Sequence, residues 1–147
     1  MVRSTLEYCS PVWSPNYSFL INLLERVQRK FCKMLLFKFG IEINKDIYHD
    51  VLQIIDLQTL QERRRKADLL FLFRLVNNQV QCSELLELVS FRVPSFSSRY
   101  RGIFYLPCLK SNYTYFSPIF RILREANLLE NRVDIFNQSL TLFKVNL

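Results

Sequence analysis

Apolar side chains recur every three or four residues between residues 16 and 39, which is the spacing of one face of an α-helix. The positions that carry this pattern are Leu20, Leu24, Val27, Phe31, Met34 and Leu35. Gly40 follows where a helix commonly ends, since glycine adopts the left-handed conformation of a C-terminal cap at little cost. The pattern therefore predicts an amphipathic helix from Asn16 to about Phe39, capped by Ser14 or Asn16.

A second long helix is predicted from Leu60 to about Asn78. Thr59 and Glu62 have the spacing of a capping box, in which each residue satisfies a backbone N–H of the other. Shorter helices are predicted at 2–10, 47–55, 83–89, 118–129 and 131–144, the last three capped by Ser83, Ser117 and Asn131. The first should end before Pro11, because the residue before a proline avoids the helical region, leaving 11–15 as an extended or turned connector.

Residues 91–115 lack helical periodicity and contain two prolines, several serines and seven aromatic residues. This composition predicts an irregular segment with one short strand around Ile103 to Leu106. The whole pattern predicts a mainly α fold, with amphipathic helices around one core and an aromatic-rich irregular segment at about 91–115.

Length and composition favour one globular domain. Half of the 147 residues are hydrophobic, which is enough for a substantial core, and only two are glycine, so the common phosphate-binding loops are absent. No apolar run approaches the 20 or so residues that cross a membrane, and no signal peptide is evident. We therefore expect an intracellular protein, nuclear or cytoplasmic, neither secreted nor membrane-bound.

The net charge of +7 suits a nucleic-acid or other anionic partner. Arg26, Arg29, Lys30 and Lys33 step by three and four along one helix face, where each could neutralise a phosphate. The alternative is an ordinary solvated face.

A second basic run opens the predicted helix after Leu60. Arg63, Arg64 and Lys66 are its candidate nucleic-acid contacts, although a solvated run is again the alternative. Cations in a first helical turn oppose the helix dipole, which is an unfavourable position unless they are used.

Two aromatic residues near the N-terminus are given a structural role. Trp13 lies between two prolines, where it could stack on a base but is more typical of a plug that locks the connector onto its neighbours. Tyr8 is expected to help fix the same region.

Catalytic and metal chemistry find little support. Asp46, His49 and Asp50 lack a further strong ligand on their face, so they predict an exposed surface and no metal site. The four cysteines have no C-x-x-C spacing and are expected to be reduced thiols. We assign no catalytic residue and no cofactor to this chain.

Three segments together resemble a known family. Residues 2–15 contain L-E-Y-x-x-x-V-W-S-P, residues 24–31 contain E-R-V-Q-R-K-F, and residues 64–72 read R-R-K-A-D-L-L-F-L. In this order they resemble the region downstream of the polymerase palm in non-LTR (LINE, jockey-like) retrotransposon reverse transcriptases, and residues 91–95 and 140–144 resemble the end of those reading frames. The resemblance covers nearly the whole chain.

The resemblance implies a thumb-like helical segment at 1–40 and a C-terminal helical domain at 41–147, which together hold template–primer or element RNA. The parent enzyme is an RNA-directed DNA polymerase whose Mg²⁺ ions are held by aspartates of an upstream palm, including a Y/F-x-D-D box. This chain has no D-D pair. The resemblance therefore implies a fragment that binds RNA or DNA, with an upstream polymerase domain as a possible partner, and that is not an enzyme on its own.

The alternative from another class is a basic protein-interaction or scaffold module whose basic faces meet acidic partners. It could be domesticated from such an element or unrelated to it.

Overall fold

The prediction of a mainly α protein is confirmed by the computed structural model, which describes residues 2–40, 48–93, 102–108, 111–129, 135–136 and 138–146. Within these residues the only β structure is one isolated bridge. The helices are α1 (Val2–Glu7), α2 (Ser10–Trp13), α3 (Ser18–Lys38), α4 (Tyr48–Ile54), α5 (Leu60–Val76), α6 (Ser83–Glu87), α7 (Asn112–Tyr115), α8 (Pro118–Asn127) and α9 (Leu140–Asn146).

The connector at 11–15 differs from the prediction. Pro11 does not end a helix there but lies in the first turn of α2, where its missing N–H is no loss and its fixed φ suits the helix. The preceding break falls at Cys9, whose backbone is left-handed with φ of 49°. Only the residues after Trp13 form the extended connection to α3.

Helix α3 has nearly the predicted bounds, but it is not capped as predicted. Its N-cap is Tyr17, whose side chain makes no capping bond. The predicted caps Ser14 and Asn16 both lie before this position in the chain. At the other end Gly40 has φ of +68°, which confirms its predicted role as a left-handed terminator.

The inward face of α3 is not its most apolar face. The residues that it buries are Glu25, Gln28, Cys32 and Leu36, which share one side of the helix at three- and four-residue spacing. Four of the apolar positions singled out in the sequence, Leu20, Val27, Phe31 and Met34, are exposed instead, while Leu24 and Leu35 are half-buried. Periodicity predicted the helix correctly but not which side of it packs against the protein.

Helices α4 and α5 confirm their predictions. The Thr59 N–H donates to Glu62 Oε2 at 3.1 Å and the Glu62 N–H donates to Thr59 Oγ1 at 3.2 Å, so the capping box is formed. After the last turn of α5, Asn78 takes a left-handed conformation with φ of 54°, which ends the helix near the predicted point.

The chain divides into two compact units, and the prediction of one core is replaced by two buried clusters. Unit 1 comprises Met1–Ser10 and Ser14–Arg64, and unit 2 comprises Pro11–Trp13 and Arg65–Leu147. The core of unit 1 is small and consists of Cys32, Leu36, Val51 and Leu52, with Tyr48 and Leu57 packed against it. The larger core of unit 2 contains Leu69, Leu72, Phe73, Leu75, Val89, Phe104, Ile119, Ile122, Leu123, Ala126, Ile135 and Phe143.

The strand predicted around Ile103 to Leu106 is reduced to a single bridge between Phe91 and Phe104. The outer edge of Phe104 is occupied by the side-chain amide of Asn127, which accepts from the Phe104 N–H and donates to its carbonyl, both at 2.9 Å. A side chain thus takes the backbone groups that a further strand would have used.

Two of the later helices differ from their predictions. Helix α6 ends at Glu87 rather than Val89, and its N-cap is Cys82 rather than Ser83. The last described helix begins at Leu140, whereas the prediction placed its start at Asn131. Residues 131–134 are outside the described residues, and Ile135 lies in a turn. The Ile135 carbonyl accepts a hydrogen bond from Asn77 Nδ2 at 2.9 Å. Ile135 and Phe143 are buried, while Leu140 is half-buried.

Helix α8 begins as predicted, with Ser117 as N-cap and Pro118 in the first turn. Its Arg121 holds the buried Asp68 of α5 with two hydrogen bonds of 3.0 and 3.2 Å and donates to the Pro11 carbonyl at 2.7 Å. The pairing satisfies a carboxylate that would be costly to bury alone. No described helix has the length and apolar character needed to span a bilayer.

Candidate nucleic-acid interface

The four predicted cations of α3 lie together on its surface. Arg26, Arg29, Lys30 and Lys33 are all exposed, and among the described residues none of them is in an ion pair. They span about 10 Å of helix axis, over which duplex DNA carries roughly six phosphate charges. We call these four residues the basic stripe; its geometry suits an extended polyanion.

The orientation of the basic stripe is set by polar contacts on the neighbouring, buried side of α3. Glu25 is buried and accepts from the Tyr48 hydroxyl at 2.8 Å through Oε2 and from the Gln61 N–H at 3.1 Å through Oε1. One turn later, Gln28 donates to the Gln58 carbonyl at 3.0 Å. Because these bonds tie α3 to both α4 and the start of α5, the helix cannot rotate without leaving buried polar groups unpaired.

Two groups beside these contacts, the half-buried Tyr48 and the buried Cys32, have raised pKa values. Burial, and then the hydrogen bond to Glu25, raise the pKa of Tyr48 well above its usual range, so its hydroxyl remains a donor at neutral pH. Burial also raises the pKa of the Cys32 thiol, which keeps it uncharged. The Arg29 guanidinium lies 5.2 Å from the centre of the Tyr48 ring, a cation–π distance that links the stripe to this network.

Arg63 and Arg64 are turned inward, which differs from their prediction as nucleic-acid contacts. Arg63 forms an ion pair with Glu7 at 2.9 Å and donates to Gln28 Oε1 at 2.9 Å. Arg64 is only 4% exposed and donates to the Leu6 carbonyl at 3.0 Å. The position of these cations in a first helical turn is explained by internal partners, so we leave both out of the interface.

Three predicted residues remain: Lys66, proposed to contact nucleic acid, and Tyr8 and Trp13, given a structural role. Lys66 is half-buried. Tyr8 is 74% exposed and Trp13 is 40% exposed, so neither is a buried plug, although both make contacts with other residues. Their structural role remains a prediction.

The structure offers no metal site in the part of the chain that it describes. No three His, Cys, Asp or Glu side chains there are grouped to hold an ion. His49 and Asp50 are exposed on α4, whereas Asp46 lies outside the described residues.

Sequence reasoning missed the residues that orient the interface. Glu25, Gln28 and Tyr48 were not singled out, because a buried glutamate and glutamine look like ordinary polar positions in a helix. One signal was present: Glu25, Gln28, Cys32 and Leu36 share a helical spacing, and Glu25 is the only acid in α3.

No protein-family model, curated protein or solved structure matches this chain. The resemblance to the retrotransposon enzymes therefore remains a prediction from the strings quoted above.

Proposed function

We propose that this chain is the nucleic-acid-binding C-terminal part of a non-LTR retrotransposon reverse transcriptase. In this proposal the basic stripe of α3 holds template–primer or element RNA, and polymerisation belongs to a palm that this sequence does not contain. The observation that carries the proposal is the exposure of all four cations on one face of α3, without ion-pair partners among the described residues. The string resemblance adds the family.

Electrostatics favour this arrangement. Like charges at three- and four-residue spacing destabilise a helix, and an anionic partner would relieve the repulsion. Each cation that meets a phosphate releases condensed counterions, so binding should weaken steeply as salt is raised.

The test is fluorescence anisotropy of the whole chain with a labelled RNA–DNA primer–template, titrated across salt. Replacing Arg26, Arg29, Lys30 and Lys33 by Gln should flatten the plot of log affinity against log salt. The expected change is up to about 3.6, since each contact on duplex DNA contributes about 0.9. An unchanged slope would remove the basic stripe from the interface.

A charge-matched control separates a specific stripe from net charge. Gln at Arg65, Arg74, Arg92 and Lys144 removes the same four charges from exposed positions outside α3 and should leave most of the slope in place. Heparin and duplex DNA of equal length serve as competitors. Equal affinity for heparin and the primer–template would contradict the proposal and favour a basic scaffold module.

A further inference from the structure

A row of apolar side chains runs along the exposed side of α3, next to the basic stripe. Leu20, Leu23, Val27, Phe31 and Met34 are each between 38% and 60% exposed. We call these five residues the seam. Contiguous apolar surface of this kind marks interaction sites more often than isolated exposed residues do.

The spacing of the seam is that of a coiled-coil contact. Leu20, Val27 and Met34 are seven residues apart. Leu23 follows Leu20 by three residues, whereas Phe31 follows Val27 by four, because Lys30 occupies the position equivalent to Leu23. A seven-residue repeat keeps one line of side chains facing a partner helix. The seam extends over about four turns, or roughly 21 Å, which suits a single helix laid along it.

The charges beside the seam define the chemistry of that helix. Arg26 and Lys33 are themselves seven residues apart and each immediately precedes a seam residue, while Lys30 lies between them. Flanking charges of a coiled-coil seam select partners by complementarity. The exposed side of α3 presents no acid, because Glu25 is the only acidic residue of the helix and is buried.

We propose that the seam docks an amphipathic helix with acidic flanks, supplied by another protein. A second copy of this chain fits poorly, since an antiparallel pairing of two seams would set Arg26 and Lys33 against their own counterparts. Of the five seam residues only Phe31 could stack on a base, and the aliphatic side chains of the other four offer nucleic acid neither stacking nor charge. This site shares Arg26, Lys30 and Lys33 with the one proposed for nucleic acid, and it differs from that site in its five apolar residues, which phosphates do not need.

The probe is a labelled 21-residue helical peptide with Leu at the two seam positions of each heptad and Glu at the flanking positions. Binding to the whole chain is measured by fluorescence anisotropy at physiological salt. We expect the acidic peptide to bind at least about tenfold more tightly than the same peptide with Lys at its flanks. Equal binding of the two peptides, or none by either, would overturn the proposal.

Substitution localises the contact. The triple variant Val27→Gln, Phe31→Gln, Met34→Gln removes seam side chains, keeps all four cations, and should weaken peptide binding about tenfold or more. The matched control replaces Ile54, Leu128 and Val145 by Gln, which are exposed elsewhere, and should bind like the unmodified chain. Circular dichroism verifies that both variants stay folded; equal binding by the two would refute the seam as the site.

Two further measurements distinguish the other occupants. Sedimentation equilibrium of the unmodified chain should show no association that the seam variant abolishes; a seam-dependent dimer would mean that a second copy is the occupant. The seam variant should also retain its affinity and salt slope for the RNA–DNA primer–template. Loss of that binding would show that the seam belongs to the nucleic-acid site. If instead the basic-stripe variant keeps an unchanged salt slope, that result contradicts only the proposed function and leaves the seam proposal standing.

Discussion

Single buried polar groups decide how α3 is placed. Glu25 is held by the Tyr48 hydroxyl and by a backbone N–H at the start of α5, and Gln28 links the helix to Arg63. A buried carboxylate without such donors would be strongly destabilising, so these contacts together fix the rotation of α3 about its own axis. The same holds in unit 2 for Asp68, which is held by Arg121.

The substitution Tyr48→Phe tests how much the hydrogen bond to Glu25 contributes to stability. Loss of the hydroxyl donor to Glu25 should lower the free energy of unfolding by about 1.5–3 kcal/mol near neutral pH, as for other hydrogen bonds to charged groups. Urea denaturation followed by circular dichroism measures it. Gln61 still donates to Glu25 through its backbone, so the variant should remain folded.

The stability difference between the unmodified chain and Tyr48→Phe should depend on pH in a definite direction. The pKa of Tyr48 is raised in the folded protein, by burial first and by Glu25 second, above its usual value near 10. Its stabilising contribution is therefore complete below about pH 10 and is lost as the pH rises further. The gap between the unmodified chain and Tyr48→Phe should narrow above pH 10, while a gap that stays constant would mean that the hydroxyl does not titrate as described.

At the scale of elements, α3 has three sides of different character. One is buried and largely polar, one carries the basic stripe, and one carries the seam. Within unit 1 the first side packs against α4, and the basic stripe contributes one contact, between Arg29 and the Tyr48 ring. A helix that is folded into the protein through a polar face leaves its apolar face available for a partner.

The start of α5 depends on its capping box. Thr59→Ala removes the side-chain acceptor of the Glu62 N–H and should cost about 1 kcal/mol of stability by urea denaturation. Thr59→Ser keeps the oxygen and is the matched control, expected to differ from the unmodified chain by only a few tenths of that amount. Equal losses in both variants would argue that the methyl group matters and the cap does not.

At the scale of the whole molecule, the two cores are of unequal size. The cluster in unit 2 draws on α5, α8, α9 and the bridge between Phe91 and Phe104, whereas the buried cluster described in unit 1 has four members, around α3 and α4. Hydrophobic stabilisation scales with buried apolar area, so most of it belongs to unit 2.

Phe143→Ala tests the contribution of α9 to that core. The Phe143 side chain is fully buried, with its ring centre 4.5 Å from that of Phe73, and its removal should cost about 3–5 kcal/mol. Leu142→Ala, at the exposed neighbouring position, should change stability by no more than about 0.5 kcal/mol. Similar losses for the two substitutions in urea denaturation would contradict the described packing of α9.

The sequence by itself determined the helices whose signals are local. The three- and four-residue spacing of α3, the Thr59–Glu62 box, Gly40 and the Ser117–Pro118 start all act through neighbouring residues, so their effect can be read without the fold. The exposure of the basic stripe was likewise predictable, because charged side chains are rarely buried without partners. In the segment predicted to be irregular, the described residues 91–93 and 102–108 contain only one isolated bridge, whereas Asn112–Tyr115 form α7, which the sequence did not predict.

Only the tertiary structure decided which faces are used. Periodicity locates an apolar row on a helix, but residues far away in the sequence decide whether that row is covered. For α3 those residues are Tyr48 and the backbone of Gln61, which select the polar side and leave the seam outside. Likewise Arg63 and Arg64 look like surface cations in the sequence, and only Glu7 and the Leu6 carbonyl, nearly sixty residues earlier, turn them inward.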